Sequence, residues 1–283
     1  MLNIFHYMSF YFLLLVTISP PFLTAQTKNY IAIIPTFHHR QEVPGTKSSI
    51  ELNKLKFVIF VYENAVVVYS ECDFLNKSEN TIEQEFALPS KGHNSTGNNP
   101  EGRVSSGIRS TQLWVEGERV NPQIIKDGDE EWYTIHASLK PHESRKVKAL
   151  FWAATSLADI DDHSVLDSTV ITNGKRGFLI DIAHAEVWKN TIQSINITVL
   201  LKDGIFPSWD TFSAGPPIYN FKDSTLTWSM KFIRPSKDDN VLVRYESENN
   251  ANTTTNTIEK LSTFIVKEVY DKLQYYVSQM EEL

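Results

Sequence analysis

The sequence predicts an all-β chain: an antiparallel β-sandwich of two packed β modules, followed by one C-terminal amphipathic helix. Three observations carry that expectation. Apolar and polar residues alternate with a period of two over most of residues 49–247. Turn residues recur about every 8–15 positions, and a helical period emerges only after residue 257. Short strands without helices between them suit sheet-on-sheet packing. Roughly 200 such residues exceed one sandwich of about 100, so the reading divides them into modules at 49–155 and 168–247, with a boundary in the polar segment 156–167.

The elements follow in order. Residues 26–48 form a polar lead-in with one apolar stretch, Tyr30 to Ile34. Ile50 to Tyr62 reads as a strand, Glu63-Asn64 as a turn, and Val66, Val68, Ser70, Cys72 and Phe74 as one face of the next strand. Ile82, Gln84, Phe86 and Leu88 alternate until Pro89, and a Gly/Asn/Ser/Pro-rich loop follows. Glu116-Gly117-Glu118 and Asp127-Gly128-Asp129 mark hairpin turns. Asn173-Gly174, between Thr169-Val170-Ile171 and Phe178-Leu179-Ile180, is a further hairpin signal. Ile195, Ile197, Val199 and Leu201 alternate, as do Leu226, Trp228, Met230 and Phe232, then Val241, Val243 and Tyr245.

The chain has 283 residues, of which 41% are hydrophobic and 22% charged, enough apolar content for a core. Its net charge is −7 with no cluster of Lys and Arg along the sequence, which argues against nucleic acid as a partner. One cysteine excludes a disulfide scaffold, and Cys72, alternating with valines, reads as a small buried hydrophobe.

The first 25 residues carry no Asp, Glu, Lys or Arg and hold a short apolar core at 10–18, ended by Pro20-Pro21. The core is too short to cross a hydrocarbon layer, which takes about 20 apolar residues. With Ala25 before Gln26 it reads as a secretory signal peptide, and the mature chain as periplasmic or secreted. At the other end, residues 248–256 form a polar linker. Ile258, Leu261, Ile265, Val269, Leu273, Tyr276 and Met280 then recur at helical spacing across 257–283. Lys267, Glu268, Asp271 and Lys272 exclude a membrane span there. An isolated helix of this kind is marginal in water, so it is expected to dock on its own domain, on a second copy or on a partner.

No GxSxG, HExxH, P-loop, GxGxxG or CxxC string occurs, and the reading assigns no catalytic residue and no cofactor. The densest set of potential ligands is Asp159, Asp161, Asp162 and His163; oxygen donors at that spacing suit Ca²⁺. Ser164 and Val170 stand where an EF-hand needs Gly and Glu, so the segment reads as a solvated loop. His184 and Glu186 would share a face if their stretch were a strand, an arrangement able to bind metal or move protons. His38-His39 reads as surface, and Asp238-Asp239-Asn240 as a turn leading into a strand. The six tryptophans (114, 132, 152, 188, 209 and 228) suggest a sugar platform, but their scatter reads mainly as core anchoring. Asn76, Asn94, Asn196 and Asn252 head glycosylation sequons.

Four stretches carry a family resemblance: Val66-Val67-Val68-Tyr69 with Phe74-Leu75-Asn76, leading to Phe86-Ala87-Leu88-Pro89; Trp132-Tyr133-Thr134 with Leu139 to Glu143; Ala185 to Ile192; and Trp228 to Pro235 with Asp238 to Tyr245. In this order, over residues 48–247, the chain resembles bacterial exported proteins of unknown function with β domains of the vault/inter-α-trypsin type. The resemblance implies an extracytoplasmic β-sandwich and brings no activity or catalytic residues. The functional expectation is a binding or structural module at the cell envelope, with a protein or glycan partner; the alternative is an envelope hydrolase or metal-dependent enzyme.

If the leader is removed, mass spectrometry of the mature protein should find Gln26 as its first residue. An envelope-bound protein that keeps Met1 would show instead that the segment is retained as an anchor.

Overall fold

The structure is a computed structural model that describes residues 31–33, 36–37, 49–62, 65–91, 108–127, 130–154, 175–188, 190–202, 204–207 and 217–247. The expected leader, the 156–167 boundary and the C-terminal helix lie outside these residues. So do His38-His39, Asn173-Gly174, Trp209 and the sequons at Asn94 and Asn252.

All-β holds throughout the described chain. The strands are β1 (Ile31–Ile33), β2 (Ile50–Val61), β3 (Ala65–Asn76), β4 (Ile82–Lys91), β5 (Ile108–Val115), β6 (Glu118–Val120), β7 (Gln123–Asp127), β8 (Glu130–Leu139) and β9 (Ser144–Ala154). There follow β10 (Lys175–Ile180), β11 (Ile192–Leu201), β12 (Ile205–Pro207), β13 (Ile218–Asn220), β14 (Thr225–Ile233) and β15 (Val241–Ser247). The only helical turns among the described residues are two short 3-10 helices, Ala183–Trp188 and Lys237–Asp239. No helix there is long and apolar enough to cross a membrane.

Three sheets form: an eight-stranded one ordered β13-β14-β11-β2-β3-β9-β5-β6, a four-stranded one ordered β1-β10-β15-β12, and a three-stranded one ordered β4-β8-β7. Two expectations change here. The sheets are mixed rather than purely antiparallel, because β11 runs parallel to β2 and β1 parallel to β10. The β2–β11 ladder also joins the stretches 49–155 and 168–247 into one sheet, so the expected boundary does not separate two sheets. Parallel pairing needs a long crossover, and 130 residues of chain lie between β2 and β11.

One core cluster draws side chains from all three sheets. It takes Phe57 and Ile59 from β2, Val66, Val68, Cys72 and Phe74 from β3, Phe86 and Leu88 from β4, Ile135 from β8, Phe178 from β10, Ile197 from β11 and Tyr245 from β15. Aromatic rings tie the sheets together: Phe74 lies 4.6 Å from both Phe86 and Trp188, centroid to centroid. The lead-in is more than polar packing. Its β1 completes the four-stranded sheet, fully buried Phe37 joins the core, and Trp188 Nε1 donates to the Phe37 carbonyl at 2.9 Å.

Local chemistry explains the turns. Glu116 (φ 51°) and Gly117 (φ 83°) both adopt left-handed backbone, as the two-residue β5–β6 hairpin requires. β10 takes partners from distant parts of the chain: Phe178 to Ile180 pair with β1 on one side and β15 on the other. Pro89 does not end β4, because β4 is an edge strand, where a missing N–H is tolerated, and a bulge between Pro89 and Lys91 absorbs the irregularity. Before β15, the backbone N–H and hydroxyl of Ser236 both donate to Asp239 Oδ2 at 2.8 Å, closing the expected turn at 238–240.

Asn76 is fully buried at the end of β3. Its Nδ2 donates to the carbonyls of Asn80, Leu139 and Lys140, and its Oδ1 accepts from the backbone and hydroxyl of Ser78. The amide is fully engaged, so this sequon is closed to glycosylation in the folded chain. Asn76→Ala should lower stability in urea by about 1–3 kcal/mol, the cost of leaving buried acceptors unpaired. Asn76→Asp should cost more at neutral pH, since it turns a carboxylate toward three carbonyls. An unchanged midpoint in either variant would remove Asn76 as a structural tie.

Candidate functional site

Side chains alternate across a strand, so the large sheet's second face carries the residues its core face does not. Register arranges them in rows. One row crosses five strands as Ser229, Asn196, Lys56, Glu71 and Lys148; the next runs Lys231, Ser194, Lys54, Asp73 and Lys146. Two further rows are largely apolar, with Val58, Phe60, Val67, Tyr69, Leu150 and Leu200 forming a separate buried cluster. The face is therefore split into an apolar half and a charged half.

The charged half forms a groove of about 490 Å³, within the range of small-molecule sites. Its charged lining is four lysines, 54, 56, 146 and 231, against two carboxylates, Glu71 and Asp73. Gln193, Ser194, Asn196 and Ser229 add amides and hydroxyls, and Phe232 supplies the ring.

Glu71 organises one side. Its side chain is 5% exposed, and it accepts from the Tyr69 hydroxyl at 2.9 Å while pairing with Lys148 at 3.2 Å and Lys146 at 3.9 Å. Burial alone would raise its pKa, but Lys148, the Tyr69 hydroxyl, Lys56 and Lys146 together outweigh burial and hold the carboxyl below its ordinary 4.5. Asp73 accepts from the Ser144 hydroxyl at 2.7 Å. Lys54 and Lys231 make no ion pair with any described residue and add positive charge to a chain of net −7.

Two local devices set the lining. A bulge in β2 between Leu52 and Lys54 is held by Asn190, which accepts from the Leu52 N–H at 3.2 Å and donates to the Leu52 carbonyl at 2.8 Å. The second is Phe232, which the sequence alternation places with core residues Leu226 and Trp228. Its backbone is instead left-handed (φ 57°), and the side chain is 75% exposed on the groove while Ile233 packs against the core. For a bulky residue this conformation is strained.

The sites expected from sequence fare differently. Asp159, Asp161, Asp162 and His163 lie outside the described residues. His184 and Glu186 are not on a strand but in the first 3-10 helix. His184 Nδ1 meets Asp181 Oδ2 at 2.9 Å, one helical turn back, while Glu186 is exposed; with three residues per turn, i and i+2 diverge. Among the described residues no three His, Cys, Asp or Glu side chains gather as a metal site. Cys72 is fully buried, and burial, foremost, pushes its thiol up to about 12, far from the thiolate a nucleophile needs. Trp132, Trp188 and Trp228 are core, whereas Trp114 and Trp152 pack against the second-face apolar cluster. The groove went unread in the sequence because its residues come from strands up to about 175 positions apart.

No protein-family profile matches the chain, and no curated protein matches it. Among solved structures it is similar to a Legionella pneumophila protein provisionally described as a nutrient binding protein. The TM-score there is 0.50 at 11% identity, covering 77% of this chain and 73% of that one. It is also similar to yeast LTA4 hydrolase, with TM-score 0.42 at 10% identity over 72% of this chain and 32% of the hydrolase. A third is an M1 zinc metallopeptidase of Deinococcus radiodurans, with TM-score 0.39 at 9% identity over 69% of this chain and 42% of the peptidase. The chain thus spans about a third of the hydrolase and under half of the peptidase. The likeness is one of fold.

Because Glu71 is held below its ordinary 4.5, its carboxylate should add stability above that pH and lose it as pH falls through the lowered folded value. Urea titrations of wild type and Glu71→Gln should therefore differ most near neutral pH and converge in acid. A gap that is constant from pH 7 to pH 3 would refute this account.

Proposed function

We propose that the chain is a binding module working outside the cytoplasm, and that its ligand seat is the charged groove on the second face of the large sheet. One observation carries the reading: Lys54 and Lys231, which make no ion pair with any described residue, converge with amides, hydroxyls and an exposed ring in a cavity of ligand size. A face serving only as solvated surface has no need of a strained, outward-turned Phe232. The leader expected at 1–25 and the resemblance to exported vault/inter-α-trypsin-type β domains support placement at the cell envelope, on a layered, sandwich-type scaffold. The Legionella fold neighbour's own description agrees with a binding role.

A thermal-shift screen of the whole chain against sugars, sugar acids, sugar phosphates, amino acids and short peptides tests this. A ligand at a hundred times its Kd stabilises by about 2.7 kcal/mol, a readable rise in Tm. That rise should vanish in the double variant Lys54→Glu/Lys231→Glu, whose exposed positions leave the fold intact. Shifts that persist in the double variant would place binding elsewhere.

A further inference from the structure

The groove's chemistry narrows the ligand, on the premise that the groove is the binding seat. Its lysine surplus selects an anion. Lys54, Lys56 and Lys231 stand on β2 and β14, and Glu71 engages Lys146 and Lys148. The attraction acts in a partly enclosed cleft, where it is screened less than on open surface.

The strands beneath the groove limit how a ligand can be held. β2, β3 and β11 are paired on both sides along the groove, whereas β14 pairs with β13 only at Thr225 to Thr227, so beside the groove β14 has β11 as its one described neighbour. Main-chain pairing needs a free edge, so a ligand lying over β2, β3 and β11 must be held by side chains.

Those side chains suit a polyol. Gln193, Ser194, Asn196 and Ser229 present donors and acceptors along the groove, and the Ser229 hydroxyl donates to Asn196 Oδ1 at 2.9 Å, fixing that amide's orientation. Phe232 adds an apolar face at the rim. Its position breaks the strand's alternation, its backbone sits where bulky residues are outliers, and its ring is left in water rather than in the core. Glycine would meet the backbone requirement at lower cost. A phenylalanine kept there against both strain and exposure points to a use for the ring.

We propose that the groove takes an anionic saccharide, its sugar face stacked on Phe232 and its acid group held by Lys54, Lys56 and Lys231. A carboxylate and a phosphate satisfy the lysines equally, so the acid group is defined by its charge.

Calorimetric titration of the whole chain with trigalacturonate, its methyl ester, glucose 6-phosphate and tetraglutamate tests the proposal. At least one acidic sugar should bind, and whichever does identifies a carboxylate or a phosphate. The uncharged methyl ester should bind at least about tenfold more weakly than trigalacturonate when the latter binds. Phe232→Asn and Phe232→Gly should weaken acidic-sugar binding by about tenfold without lowering Tm, since both residues accept left-handed backbone. If both variants melt lower yet bind unchanged, the ring is structural and the proposal falls. If tetraglutamate binds as tightly as the sugars and ignores Phe232→Asn, the ligand is an acidic peptide and the saccharide is ruled out while the binding seat stands. If neither acidic sugar binds but another ligand is lost in Lys54→Glu/Lys231→Glu, again only the saccharide fails. If that double variant alters no binding at all, the groove as binding seat fails with it.

Discussion

The parallel ladder between β2 and β11 is the constraint on which the rest depends. It aligns Ser194 with Lys54 and carries the pairing through to Leu201 and Val61. Without it, β13, β14 and β11 would leave the large sheet, and β2 would expose an edge of buried strand. The ladder sends Phe57, Ile59, Ile197 and Val199 into the core, where each buried side chain contributes about 1.5–3 kcal/mol. On the other face the same register sets Asn196 beside Lys56 and Ser194 beside Lys54. Core and groove are two sides of one alignment, and a slip of one residue would invert both.

Charge on the second face follows from the same geometry. Lys56, Glu71 and Lys148 stand side by side on β2, β3 and β9, as do Lys54, Asp73 and Lys146. Each carboxylate lies between lysines, a cross-strand order that favours pairing over repulsion. Glu71 can stay ionised while nearly buried because its partners converge from both neighbouring strands. Lys231 has no carboxylate opposite it, only Ser194, and the positive surplus therefore collects toward β14 and Phe232.

Local pattern was legible and long-range pairing was not. The alternation of Val66, Val68, Cys72 and Phe74 announced β3 and its buried face, and Glu116-Gly117 announced its hairpin, because both depend on neighbouring residues alone. Nothing near Phe178 announced that strands from distant parts of the chain, β1 and β15, would flank it on both sides. His184 and Glu186 misled because a six-residue 3-10 turn has no strand period. The lysines of the groove read as ordinary solvent-facing alternation, because nothing near Lys54 reveals that Ser194 and Lys231 lie beside it.

Phe232 shows how such a site departs from the pattern that builds the fold. Leu226, Trp228 and Met230 obey the period of two, and a sequence reader extends it naturally to Phe232. Restoring that period would swing the ring away from the groove. It would also shift Ile233, which packs against the core from the position the left-handed turn creates. Strain at one residue therefore keeps two side chains in place, one on each face. Pattern rules hold where burial is the only demand, and they break where a second demand competes with it. The break falls at a bulky, exposed aromatic beside the lysine surplus, where the β11–β14 register runs from Lys231 to Ile233 and passes over Phe232.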